Sequence, residues 1–320
     1  MVTRPDGRSR AQMILLGALT LAAVIIALTV VVNSYFVTQN GAVSEVSPQI
    51  DSAQEFEYES RKGSRSLVLR LNHRHRNLTA TELGTVIERN VSVYSALMAE
   101  SYATSRGEDV DVTYNNGSSR FGSRVVQAAD GNVTSDTGRG AWTVGRSAEP
   151  RDLGWFTMNA NVEETSDAPT WINVTNGTGY SVNISINRTT AGTGINVGIT
   201  SNVSHAGNAS ALCDPSRDRV LLDFVDGSSY TDDCDFNGTQ AIEPPYVVGV
   251  SGGKELVAKY ELVYNASVSS PYYHECSPTA ATDQPCRTPA VWTANVTTAF
   301  EGSQLGYRNE YNVSVYGGSR

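Results

Sequence analysis

Residues 232 to 238 read Asp-Asp-Cys-Asp-Phe-Asn-Gly, a run whose types and spacing could hold a cation. Asp233, Asp235, Asn237 and Gly238 repeat the opening of a calcium loop, in which alternating side-chain oxygens converge on the ion and glycine permits the sharp turn. Such a loop closes with a glutamate at its twelfth position, where this chain has Pro244, and Glu243 comes one residue early. Asn237 also begins an Asn-X-Thr sequence, and an asparagine carrying a sugar is a poor metal ligand. Two readings stand for this stretch: a calcium site on Asp233, Asp235 and Asn237, or an acidic loop bordered by a disulfide.

Other residue patterns bear on catalysis. Gly249-Val250-Ser251-Gly252-Gly253 has the bare form of a nucleophile elbow, but that device needs a strand running into a helix, followed by an acid and a histidine. Here the following residues read as a strand, and the only later histidine is His274, so a turn is expected. His73 and His75, in Asn-His-Arg-His-Arg, could share a strand face as metal ligands, although no third ligand is evident and a solvated basic loop competes. His274-Glu275-Cys276 is no metalloprotease motif, and no phosphate-cradling glycine loop is present. A non-enzymatic protein without a cofactor, calcium aside, is therefore expected. Tyr230, Tyr246, Tyr260, Tyr264, Tyr272 and Tyr273 could supply an aromatic face for a glycan or a protein partner, or simply pack between strands.

Modification chemistry is far better represented. Asn-X-Ser/Thr occurs at Asn77, Asn90, Asn116, Asn132, Asn173, Asn176, Asn183, Asn187, Asn202, Asn208, Asn237, Asn265, Asn295 and Asn312. These are 14 of 22 asparagines, where the serine and threonine content predicts roughly four by chance. The excess points to an outward-facing chain bearing N-linked glycans. Cys213, Cys234, Cys276 and Cys286 form no CxxC pair and have no histidine at zinc-finger spacing, so two disulfides are expected, most simply Cys213 with Cys234 and Cys276 with Cys286.

Removing Arg4, Arg8, Arg10 and Asp6 from the 24 basic and 33 acidic residues leaves 21 and 32, a net charge of −11 for the remainder. A general basic field for nucleic acid is excluded.

The elements that must carry these residues change character along the chain. After a small, polar linker near residues 40–48, Asp51–Leu71 leans towards helix, with Pro48 a plausible start and Gly63 a plausible divider. Thr79 and Glu82 form a capping box before an amphipathic helix whose apolar stripe reads Leu83, Val86, Ile87, Asn90, Val91, Tyr94, Leu97 and Met98. Beyond Gly107 come short alternating runs such as Asp109–Tyr114, Thr170–Thr175 and Glu310–Tyr316, separated by Gly, Asn, Asp and Ser. They predict a mainly β protein whose C-terminal region, 109–320, is a β-sandwich, immunoglobulin-like or larger, as one large or two small domains. A hairpin is expected around Ser251-Gly252-Gly253.

Met13 to Val32 are twenty consecutive uncharged residues, which at about 1.5 Å of rise each span a hydrocarbon core of about 30 Å. Three arginines precede the run, and the first charges after it are Glu45 and Asp51, so the short end is expected in the cytoplasm and the rest outside. The expected organisation is a basic leader at 1–12, a transmembrane or pilin-like helix at 13–36, a linker and helical neck at 37–108, and the extracellular β region.

Arg10-Ala11-Gln12-Met13 followed by the apolar run resembles the class III signal peptide of archaeal type IV pilin-like proteins. That resemblance implies cleavage between Ala11 and Gln12 by a prepilin-type peptidase, and helices that sit in a membrane or bundle into a filament core. Leu16 stands where the family pattern often has glutamate, a departure that bears on filament assembly more than on cleavage. The uncut signal anchor is the competing reading. Arginine supplies 21 of the 24 basic residues, and with the leader and the order of elements the chain is similar to haloarchaeal pilin-like surface glycoproteins. The resemblance implies a structural protein of the cell membrane or a surface filament: a pilin-like subunit or adhesive ectodomain, whose partners are the membrane, copies of itself or other pilus components. A surface module binding calcium, glycan or a partner protein is the alternative, and a secreted hydrolase a further one.

Overall fold

The computed structural model describes residues 48–145, 153–176, 179–202, 208–236, 245–268 and 270–316. The leader, the apolar run Met13–Val32, the Ala11/Gln12 cleavage site, Asn237, Glu243 and Pro244 lie outside the described residues. Among the described residues, no helix is long and apolar enough to cross a membrane. By its contacts the chain divides into Met1–Glu55 and Phe56–Arg320.

Two long helices come first, α1 (Pro48–Arg74) and α2 (Ala80–Arg106). Gly63 does not divide α1; a Cβ there would fall 2.2 Å from the hydroxyl oxygen of Tyr94 on α2. The missing side chain lets the tyrosine lie against α1 and donate to the Glu59 carbonyl at 3.1 Å. The capping box of α2 is present: Glu82 N donates to Thr79 Oγ1 at 3.3 Å, Thr79 N to Glu82 Oε2 at 2.8 Å, and left-handed Gly107 closes the far end.

The stripe on α2 differs from expectation. Leu83, Ile87 and Val91 are buried, but the line continues through Ser95 to Tyr102, while Leu97 is 62% exposed. Ser95 earns its buried place by polar chemistry: its hydroxyl accepts from Val112 N at 2.8 Å and donates to Asp111 Oδ1 at 2.9 Å.

The strands are β1 (Asp109–Tyr114), β2 (Arg120–Asn132), β3 (Trp142–Gly145), β4 (Leu153–Asn161), β5 (Thr170–Asn176), β6 (Ser181–Arg188), β7 (Ile195–Ser201), β8 (Ala209–Cys213), β9 (Arg219–Asp223), β10 (Ser228–Ser229), β11 (Tyr246–Ser251), β12 (Val257–Tyr264), β13 (His274–Glu275), β14 (Cys286–Glu301) and β15 (Gly306–Ser314). They form two sheets. The large one runs β1-β14-β2-β12-β4-β9-β10, with β13 and β15 also paired to β14, and the small one runs β3-β11-β5-β6-β7-β8. All these pairings are antiparallel except β13 with β14.

Side chains alternate between the two faces of a strand, so one face of each sheet can be wholly apolar. Phe156, Met158 and Ala160 of β4, and Ala258, Tyr260 and Leu262 of β12, form one cluster with Ile172 and Val174 of β5, Val182, Ile184 and Ile186 of β6, and Val197 of β7. This is a β-sandwich core. The helices meet the large sheet: Phe56 of α1 packs on Tyr102 and on Phe300 of β14, with ring centroids 5.5 and 6.1 Å apart.

The expected hairpin at Ser251 is instead an arch between sheets. β11 belongs to the small sheet and β12 to the large one, and the chain crosses through Gly252 (φ 69°) and Gly253. A Cβ on Gly253 would fall 1.9 Å from the Val133 carbonyl oxygen. Both expected disulfides are formed. Cys213–Cys234 ties the edge strand β8 to the loop after β10, and Cys276–Cys286 joins the residue after β13 to the start of β14.

Candidate functional site

The sequon asparagines occupy several environments. Asn77, Asn132, Asn173, Asn202, Asn208 and Asn312 are exposed; Asn90, Asn116, Asn183, Asn187 and Asn265 are half-buried; Asn176 and Asn295 are buried. The outer face of the small sheet gathers several of them. Asn173 on β5 stands directly opposite Asn183 on β6, and the Asn173 amide donates to Asn183 Oδ1. Around that pair lie Trp171, Thr175, Ser181, Ser185, Asn196, Gly198 and Thr200, whose burial alternates with the core residues between them. None of these side chains carries a charge.

A second asparagine pair lies on the large sheet. Asn295 of β14 faces Asn312 of β15 in register, and its Nδ2 donates to Asn312 Oδ1 at 3.1 Å. Asn295 Oδ1 accepts from Asn115 Nδ2 at 2.6 Å, so the buried amide is engaged on both atoms.

The strongest polar cluster was not legible in the sequence. Glu261 of β12 accepts at Oε1 from His73 Nδ1 at 2.7 Å and Trp155 Nε1 at 3.0 Å, and at Oε2 from Arg124 at 2.6 and 2.8 Å. Arg124 also donates to the Asn72 carbonyl at 2.9 Å. Burial alone would push the Glu261 carboxyl up, but the hydrogen bond from His73 and the charge of Arg124 outweigh it and bring it down to about 2. The carboxylate's two oxygens are occupied by these donors, and the arrangement binds the end of α1 to β2, β4 and β12. Its chemistry is that of a clamp. The only sequence clue was a glutamate among the apolar residues of β12.

His73 and His75 therefore share no strand face, and the expected basic loop holds in part: His75 and Arg76 lie in the connection between α1 and α2, whereas His73 and Arg74 are helical. His73 lies in the last turn of α1, and His75 N closes that turn onto the Leu71 carbonyl at 3.1 Å. Ser251 ends β11, exposed, while His274 of β13 has its Nδ1 3.6 Å from Asp136 Oδ2. The segment after Ser251 turns into a strand rather than a helix, so no nucleophile elbow forms.

In the acidic loop, Asp233 and Asp235 are exposed, and Ser228 bridges to Asp235. Asp232 turns inward, accepting from Asp214 N at 2.7 Å, beside the sulfurs of Cys213 and Cys234. Those sulfurs are joined to each other and are not thiolate ligands. Of the tyrosines named as an aromatic face, Tyr246, Tyr260, Tyr264 and Tyr273 are buried, and Tyr272 is half-buried. Tyr230 is exposed along its ring, with its hydroxyl donating to Asp223 at 2.7 Å. Among the described residues, Trp171, Tyr58 and Tyr180 are the exposed aromatics that sequence alone did not single out.

The chain matches no family model, no curated protein and no solved structure.

Proposed function

We propose that the chain is an N-glycosylated surface protein, held at the membrane or within a filament by its apolar segment Met13–Val32, and presenting the sandwich outward. The exposure of its sequons carries this reading. Of the thirteen sequon asparagines among the described residues, all but Asn176 and Asn295 are exposed or half-buried, and most sit on strands or turns of the sandwich. Two disulfides among the described residues support an oxidising exterior. The resemblance of the leader to archaeal pilin-like proteins supports assignment as a pilin-like subunit or adhesive ectodomain, which works by display rather than by catalysis.

Surface proteolysis of intact cells, combined with N-terminal sequencing of the released and retained fragments, tests orientation and processing together. Release of sandwich peptides from intact cells supports the outward orientation, and protection of the whole chain refutes it. A mature N-terminus at Gln12 supports pilin-type processing. A chain that keeps residues 1–11 leaves a signal-anchored ectodomain.

A further inference from the structure

We infer that two hydrogen-bonded asparagine pairs each accept a single N-glycan, on Asn173 in the small sheet and on Asn312 in the large one, with Asn183 and Asn295 left bare. The inference rests on the glycoprotein reading above. All four residues are sequon acceptors by sequence, so composition gives no reason to separate them. Their pairing does. Asn173 and Asn183 are direct cross-strand partners, as are Asn295 and Asn312. Directly opposed side chains on antiparallel strands have Cβ atoms about 4.5–5.5 Å apart. That spacing leaves no room for two hydrated sugar chains rising side by side from the same face.

Within each pair the exposures differ. Asn173 is exposed where Asn183 is half-buried, and Asn312 is exposed where Asn295 is buried with both amide atoms engaged. In the large sheet the hydrogen bonding agrees with that choice, and in the small sheet, where exposure decides, it permits it. Glycosylation forms a bond between Nδ2 and the anomeric carbon of a sugar activated on a polyprenyl phosphate carrier. The bond from that carbon to the phosphate oxygen breaks, its electron pair leaves with the phosphate, and one Nδ2 proton passes to a transferase base. The modified amide keeps one N–H and its carbonyl oxygen. Asn173 can therefore still donate to Asn183, and Asn312 can still accept from Asn295. Modifying Asn295 would require a buried nitrogen already donating to Asn312 to reach solvent.

Trp171 favours Asn173 further. It lies two residues earlier on the same face of β5, 38% exposed, and offers an apolar ring on which the first sugar can lie. The uncharged neighbours Thr175, Ser185 and Thr200 suit a face covered by a neutral glycan.

Tryptic glycopeptide mass spectrometry of the native protein reads this directly. No lysine or arginine interrupts residues 152–187, so one peptide ending at Arg188 carries both Asn173 and Asn183, whereas cleavage at Arg308 separates Asn295 from Asn312. The expected result is sugar on Asn173 and Asn312, with Asn183 and Asn295 unmodified. In N173Q, sugar is expected to appear on Asn183, because the site that excluded it is empty. Sugar on both Asn173 and Asn183 of one peptide, sugar on Asn183 in place of Asn173, or any on Asn295 overturns the inference. Glycans confined to sequons outside both pairs overturn it too while leaving the glycoprotein reading intact; no glycan on any sequon removes that reading itself.

Discussion

Nδ1 of His73, in the last turn of α1, lies 2.7 Å from Oε1 of Glu261 in β12, which joins a helix end to the middle of the large sheet by a hydrogen bond. Asn72 and Arg124 extend it. The helical segment from Phe56 onward is thus joined to the β body by polar bonds as well as by apolar packing.

The Glu261 carboxyl, held near 2 in the folded chain against an ordinary value of 4.5, stabilises the fold fully above about pH 5, and that contribution is lost as pH falls towards 2. The shift corresponds to about 3 kcal/mol. Denaturant unfolding measured from pH 7 to pH 2 is expected to show this loss. In Glu261→Gln the acid-dependent component should shrink, while stability at pH 7 falls by about 3–5 kcal/mol because Arg124, with its side chain 6% exposed, loses its counter-charge.

Asn72 acts as a strand where none is present. Its amide donates to the Val291 carbonyl at 2.8 Å and accepts from Val291 N at 3.0 Å, in a stretch of β14 whose only ladder is to β2. Asn72→Ala leaves both backbone groups buried without partners and is expected to cost about 3 kcal/mol in equilibrium unfolding. Asn72→Asp keeps an acceptor for Val291 N but turns a buried carboxylate oxygen towards the Val291 carbonyl, and at pH 7 should cost at least as much as alanine.

Replacing Cys213 and Cys234 by serine removes the tie between the edge strand β8 and the loop after β10. By chain entropy a loop of this size is worth about 3 kcal/mol. The double variant should unfold at lower denaturant, with hydrogen exchange rising first in β8, the edge strand that the bond anchors. Uniform exchange across the small sheet would contradict that local role.

Ser95→Ala removes the acceptor of Val112 N and the donor to Asp111. Thermal unfolding is expected to register a loss of about 1–2 kcal/mol. Leu97→Ala, at a position the periodicity counted as core but which is 62% exposed, should change stability by less than about 0.5 kcal/mol.

That pair of variants shows what the sequence could and could not convey. Strict alternation made β1, β5, β6 and β15 legible, because a half-buried strand writes its geometry as period two. The opening of β14 escaped because Pro289 argues against a strand; it is accommodated where β14 has a ladder on one side only. On α2 a polar residue took a buried position, and hydrophobic periodicity has no means of reporting a serine that satisfies a strand's backbone. The Ser251 turn was visible as a turn, but whether its strands pair or cross between sheets depends on partners far away in sequence. The Glu261 clamp was hidden for the same reason: Asn72, His73, Arg124, Trp155 and Glu261 meet only after folding. Sequons were legible as a set, whereas their sorting into exposed, paired and buried members required the sheet register.

The most direct test of the surface-glycoprotein account is the intact mass of the native chain from the membrane fraction, before and after chemical deglycosylation. The polypeptide weighs 34.3 kDa. The account predicts a heterogeneous mass well above that of the chain's own mature polypeptide, collapsing to it when the sugars are removed. A single sharp mass equal to the polypeptide, unchanged by the treatment, would contradict it.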